Sequence, residues 1–132
     1  MKRACILGAS GYTGRELARL LQHHPALELD GFMSAREPNQ DGTGEKPEPP
    51  DLEVDRPVEP LDWKRVERAD GVFLCTPHGT SAELARRCLA LGKHVVDLSA
   101  DFRLKDPANY ARTYGHAHVA PELLPSAVYG LT

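Results

Sequence analysis

The 132-residue sequence predicts an α/β domain built on a parallel sheet. Three observations carry this. Apolar runs of strand length alternate with segments whose apolar residues recur at helical spacing. A triplet of glycines, in GASGYTG at 8–14, sits where the first run meets the first helical segment. The connections between runs are long enough to cross over and return parallel, almost always with a right-handed turn.

RACIL, 3–7, is the first apolar run and stops at Gly8. Over 13–23, Leu17, Leu20 and Leu21 fall at i, i+3 and i+4, one face of an amphipathic helix. Pro25 blocks its continuation. LELDGFM, 27–33, alternates at first and reads as the second strand. Residues 36–60 change character: proline, glycine and acidic residues dominate, as in a long loop or a partly disordered excursion. DWKRVERAD, 62–70, reads as a short helix, and GVFLC, 71–75, as a strand. Thr80 to Glu83 has the form of a capping box. Leu84, Ala85, Cys88 and Leu89 then make an apolar face, and Gly92 is a natural stop. HVVDLS, 94–99, is the next strand. In DPANYARTYG, 106–115, Asp106 is placed to cap a helix, Pro107 to open it and Gly115 to close it. The tail APELLPSAVYGLT is punctuated by proline and then turns apolar.

The totals narrow the function. The length suits one domain, 1–132. Hydrophobic residues make up 41%, below the ~45–50% of ordinary globular chains, and the deficit lies mostly in 36–60. A net charge of −3 offers no basic surface for nucleic acid. No apolar run approaches the ~20 residues that span a bilayer. The N-terminus meets glycines too early for a signal peptide, so a cytoplasmic protein with no membrane partner is expected. Cys5, Cys75 and Cys88 lack the spacing of a disulfide framework or zinc site. His116 and His118 have no acidic or cysteine partner at ligand spacing, so solvated loop histidines and no metal are expected.

Ligands of parallel sheets bind beyond the carboxyl ends of the strands. Four segments follow strands here: GASGYTG, MSAR, CTPHGTS and SADFR. The first has the context of a dinucleotide fingerprint, between a strand and a helix, with GxxGxxG spacing in place of the common GxGxxG. Gly8 permits the tight turn, Gly11 lets a pyrophosphate approach the backbone, and Gly14 lets the helix pack closely. The helix N-terminus adds free N–H groups and partial positive charge. The fold expected is therefore a Rossmann-like, doubly wound sheet.

In MSAR, Asp30 comes too early to hold a ribose 2′-OH, whereas Ser34 and Arg36 suit a 2′-phosphate. NADP(H) is thus preferred to NAD, against a bland reading of Arg36 as solvated. In CTPHGTS, Pro77 and Gly79 shape a turn, and His78 is either solvated or faces the cofactor. Asp101 and Arg103 either pair with each other, or Arg103 binds an anionic substrate group. Cys75 lies at a strand end without an evident base and reads as buried structure.

GASGYTGREL, VFLCTPHGTS, VVDLSADFRL and PELLPSAVYGLT, in that order, resemble the N-acetyl-γ-glutamyl-phosphate reductases of arginine biosynthesis. The likeness covers 3–35 and 70–132. The related aminoadipyl-phosphate reductases of lysine biosynthesis are an alternative, and aspartate-semialdehyde dehydrogenases are more distant. The resemblance implies an NADPH-dependent semialdehyde dehydrogenase in which a cysteine forms a thioester from an acyl phosphate. It implies that Gly8, Ser10, Gly11, Tyr12, Thr13 and Gly14 cradle the cofactor phosphates and that Ser34 and Arg36 take the 2′-phosphate. Pro77 and His78 would lie beside the cofactor, and Arg103 toward the substrate. The family's nucleophile sits in a Gly-Cys-Tyr-Pro-Thr type motif after YGLT, which this sequence lacks. The chain is therefore expected to be the N-terminal cofactor-binding part, without a catalytic residue of its own and inactive alone. An apolar patch near its C-terminus is expected, which leaves self-association open, whereas the whole family enzyme is expected to be a homo-oligomer. The other function class is a stand-alone nucleotide-binding sensor or regulatory module.

Overall fold

The computed structural model describes residues 1–36, 54 and 56–130. Its strands are β1 (Lys2–Leu7), β2 (Leu27–Met33), β3 (Gly71–Leu74) and β4 (His94–Asp97). Its α-helices are α1 (Tyr12–Leu21), α2 (Trp63–Arg68), α3 (Ser81–Ala90) and α4 (Pro107–Tyr114), followed by a 3₁₀ turn at Pro121–Ser126. Every pairing is parallel, in the order β2-β1-β3-β4. Most of the expected excursion over 36–60 lies outside the described residues.

The apolar run RACIL becomes the sheet's centre because it is covered on both faces. Cys5 and Leu7 point to one face with Met33, Val72 and Leu74, under Val66 of α2 and Ala85 and Cys88 of α3. Ile6 points to the other with Leu29 and Phe32, under Ala18 and Leu21 of α1. Alternate side chains of one strand thus feed two cores, which makes the sheet doubly wound. Full burial of each Ile or Leu contributes roughly 1.5–3 kcal/mol. The register of β1 on β2 shifts between Ala4 and Cys5, so Asp30 bulges out and Gly31 faces Cys5. A Cβ at Gly31 would lie 2.9 Å from the Cys5 sulfur, so glycine makes room for the thiol.

Two helices bury most of the expected stripe, with Leu17 and Leu84 packed on the cores, but Leu20 and Leu89 fall outside it. On α1, Gly14, Ala18 and Leu21 are buried and Leu20 is 55% exposed. At ~100° per residue Leu20 falls off the stripe that Gly14 and Ala18 open to the sheet. On α3, Ser81, Ala82, Ala85 and Cys88 face inward and Leu89 is exposed. Small residues let both helices lie close to the sheet.

The helix ends show which caps are local. Asp106 accepts from Ala108 N at 3.0 Å, Pro107 opens α4, and Gly115 closes it at φ +79°. Lys93 Nζ donates to the carbonyls of Glu67 and Ala69 at the C-terminal end of α2, a favourable place for a cation. The capping box at Thr80 does not form. Thr80 makes no side-chain cap bond, and Glu83 pairs with Arg86.

Glu59 lies along the outer edge of β2: its N–H donates to Phe32 O, and its carbonyl accepts from Ser34 N, both at 2.9 Å. Among the described residues β4 has no outer partner, and Val96 and Leu98 are exposed. Val128 and Tyr129 are exposed near the C-terminus, where an apolar patch was expected. Among the described residues no helix is long and apolar enough to cross a membrane, and no group of three metal-ligating side chains exists.

Candidate dinucleotide site

The strand order places β1 between β2 and β3, so chain connections leave β1 toward opposite sides of the sheet. That is the switch point at which a crevice opens beyond the strand ends. Three segments meet there, held by close contacts and backbone hydrogen bonds.

Gly8 stands at φ +88°, and a Cβ on it would lie 2.5 Å from the carbonyl oxygen of Cys75 and 2.9 Å from Thr76 Cγ2. Only glycine fits this conformation and this contact. Gly14 is equally confined: its Cβ would lie 2.8 Å from Gly8 O and from Ala9 Cα. Gly11 differs. It has φ −91°, and a Cβ there would meet nothing within 4 Å. Two glycines thus close the turn against the protein, and the third leaves a bare backbone facing open space. Gly11 is also the N-cap of α1 and supplies no side-chain acceptor to the first turn. Ser10, Tyr12 and Thr13 are exposed around it. Uncapped N–H groups, about half a positive charge at the helix end and free hydroxyls fit a phosphate.

The end of β2 is tied to this turn. Met33 O accepts from both Gly8 N and Ala9 N at 3.0 Å. Ser34 follows at once, and its Oγ accepts from Arg36 N at 3.2 Å, so its hydroxyl proton remains to donate. Arg36 is exposed. Asp30 sits in the bulge, three residues before the strand ends.

At the end of β3, Cys75 N donates to Leu7 O at 2.8 Å, and Thr76 is buried with its hydroxyl against Ser81 Oγ. Pro77 and His78 are exposed on the turn that follows, and Gly79 takes φ +87°. His78 stacks on His116 with ring centroids 5.6 Å apart and planes 8° apart.

The role missed by sequence reasoning is that of Asp101. It does not pair with Arg103. It is fully buried, and its carboxylate accepts from Gly79 N (2.7 Å), Ala82 N (2.9 Å) and Tyr110 Oη (2.8 Å). It caps α3 in place of Thr80. Burial, then the bond to Asp101, pushes the Tyr110 phenol well above its usual range. His118 is buried rather than solvated: its Nδ1 accepts from Ala120 N, which leaves Nε2 to donate to Asp101 O at 2.7 Å.

Arg103 does not join the glycine turn. It is exposed and lines a groove of about 700 Å³ along β4, with Ser99, Phe102 and Tyr129. That groove touches no residue of GASGYTG.

None of the three thiols is activated. Burial, and then the charge of Asp97, pushes Cys75 up to about 12. Burial, followed by Asp30, raises Cys5 to about 11, and burial raises Cys88 to about 11. A nucleophilic thiolate needs the opposite shift.

Residues 3–132 match the family described as semialdehyde dehydrogenase, NAD binding domain. An N-acetyl-gamma-glutamyl-phosphate reductase of Magnetococcus marinus is 48% identical over 98% of this chain, which spans 37% of that protein. One from Desulforudis audaxviator is 46% identical over 99% of the chain and 38% of its own length. A protein named probable N-acetyl-gamma-glutamyl-phosphate reductase, chloroplastic, from Oryza sativa subsp. japonica is 44% identical over 98% of the chain and 31% of its own length. The chain thus spans about a third of the length of the relatives it matches. With its parallel sheet and its glycine turn at the switch point, it belongs to the semialdehyde dehydrogenase NAD-binding domain family, whose ligand is a nicotinamide dinucleotide.

Proposed function

We propose that this chain is the NADP(H)-binding domain of an N-acetyl-γ-glutamyl-phosphate reductase. The observation that carries the cofactor site is Gly11: a helix N-cap with no side-chain cap and open space where a Cβ would stand. The N–H groups of the first turn of α1 hold the pyrophosphate, helped by the hydroxyls of Ser10 and Thr13, and Tyr12 stands beside them. Gly8 and Gly14 hold the turn in shape. Ser34 and Arg36 take the 2′-phosphate, the serine by donating its proton and the arginine by its paired N–H groups. Pro77 and His78 flank the half of the ligand nearer β3, and Arg103 serves the anionic substrate from the β4 side.

When bound, NADPH supplies the hydride for reducing an acyl group at a cysteine thioester. This chain's residues bind and orient. Cys5 and Cys88 are buried and Cys75 is half-buried, and desolvation raises all three thiols well above neutral pH. We infer that the chain alone does not reduce the acyl phosphate. A stand-alone nucleotide-binding module rests on the same unactivated thiols and would share the site.

Fluorescence titration with NADPH and NADH tests the cofactor. NADPH should bind more tightly, and Arg36→Ala should remove about tenfold or more of that preference, the loss of a charge-assisted pair. Tighter NADH binding, unaffected by Arg36→Ala, contradicts the assignment. NADPH oxidation by the pure chain that depends on acyl phosphate would contradict the claim of inactivity.

A further inference from the structure

Asp101 is a charged side chain with no exposure, two strands away from the glycine turn. A buried carboxylate is costly unless its oxygens are fully bonded. Here they are. Gly79 N, Ala82 N and Tyr110 Oη all donate to it. Its own N–H donates to Ser99 Oγ at 3.1 Å, and its carbonyl receives His118 Nε2.

Two of these donors are backbone amides, Gly79 N in the turn after β3 and Ala82 N in the first turn of α3. The turn after β3 begins at Cys75 and Thr76, which touch the Cβ direction of Gly8, and it carries Pro77 and His78. Its second side is held by the same hub. His78 stacks on His116, and His116 meets the ring of Tyr110 edge-on at 5.4 Å. Thr80 stands at the N-cap position of α3 but in a helical conformation and without a side-chain cap bond. Asp101 reaches back across 22 positions to a glycine at positive φ. The amides at the start of α3 thereby turn inward, whereas those of α1 remain open.

We propose that Asp101 is a positioning residue for the dinucleotide: through Gly79 and Ala82 it fixes the Thr76–Gly79 turn against the half of the ligand nearer β3. This rests on the dinucleotide reading above. The two halves of a dinucleotide lie to either side of the switch point. Ser34 and Arg36 at the end of β2 take the adenosine half, so the other half falls toward the end of β3. Asp101 therefore acts on the whole dinucleotide and not on its adenosine fragment.

The test is titration of the 132-residue chain with NADPH and, separately, with 2′,5′-ADP. Asp101→Asn keeps the volume but sets an NH₂ group against a backbone N–H. NADPH affinity should fall about tenfold, the loss of one bond to a charged group, and 2′,5′-ADP affinity should stay within about twofold. Tyr110→Phe removes one donor and leaves both backbone bonds, so it should show the same split at about threefold. It decides the matter alone if Asp101→Asn does not fold. Wild-type NADPH affinity in the folded variants, or equal loss for both ligands, overturns the proposal. A wild-type chain that binds neither ligand refutes the dinucleotide reading and this inference with it.

Discussion

The three glycines of GASGYTG should fail in different ways when each is replaced by alanine. Gly8→Ala meets two penalties. Its φ of +88° costs an L-residue roughly 1–2 kcal/mol. The new Cβ would stand 2.5 Å from a backbone carbonyl oxygen that cannot rotate away, and overpacking of this kind costs roughly 1–3 kcal/mol. Their sum, about 2–5 kcal/mol, is a large share of the ~5–15 kcal/mol that holds a domain together. At several degrees per kcal/mol, Tm should fall by about 10 °C or more. Gly11→Ala meets neither penalty. Its φ of −91° suits alanine, and nothing lies within 4 Å. The poorer cap costs up to about 1 kcal/mol, and the stiffer unfolded chain returns about 0.4–1 kcal/mol. Tm should stay within a few degrees. Dinucleotide binding should nevertheless drop about tenfold to a hundredfold, because the Cβ displaces a phosphate from charge-assisted amide bonds worth roughly 1.5–3 kcal/mol. Thermal melts and NADPH titrations on both variants read the two effects separately. A Gly11→Ala protein with unchanged Tm and unchanged affinity would show that no phosphate lies against Gly11.

Three further outcomes follow from the same structure. The thiols should resist modification by a disulfide reagent at pH 7 in the native chain and react promptly in denaturant, as measured by released chromophore. Folding raises all three thiols above their usual value near 9, so their contribution is complete below that pH and is lost as pH rises toward about 11–12; Tm should fall across that window, and less steeply in a Cys5→Ala variant. Asp106→Ala should destabilise the chain by about 1 kcal/mol in a urea melt, because it removes the bond to Ala108 N at the start of α4.

Strand and helix order was legible because it rests on local periodicity and punctuation. Asp106, Pro107 and Gly115 announce α4 within ten residues, and they do in the structure what their types imply. The separate tasks of Gly8 and Gly14 were legible from the strand–turn–helix context. Leu20 and Leu89 misled because both helices press small residues to the sheet, and a leucine count points elsewhere. Asp101 was illegible for a deeper reason. Its donors, Gly79, Ala82 and Tyr110, are distant in sequence, so its neighbour Arg103 looked like the natural partner. The buried His118 was hidden in the same way, since its partner is a backbone carbonyl seventeen positions away.

The central claim is that the amides opening α1 hold the phosphates of NADP(H). The most direct measurement is an amide nitrogen–proton NMR spectrum of the labelled chain during NADPH titration. Saturable shifts are expected at Ser10, Gly11, Tyr12, Thr13 and Gly14, with smaller ones at Ser34 and Gly79. Saturable shifts confined to the β4 groove around Phe102 and Tyr129, with the glycine turn unmoved, would contradict it.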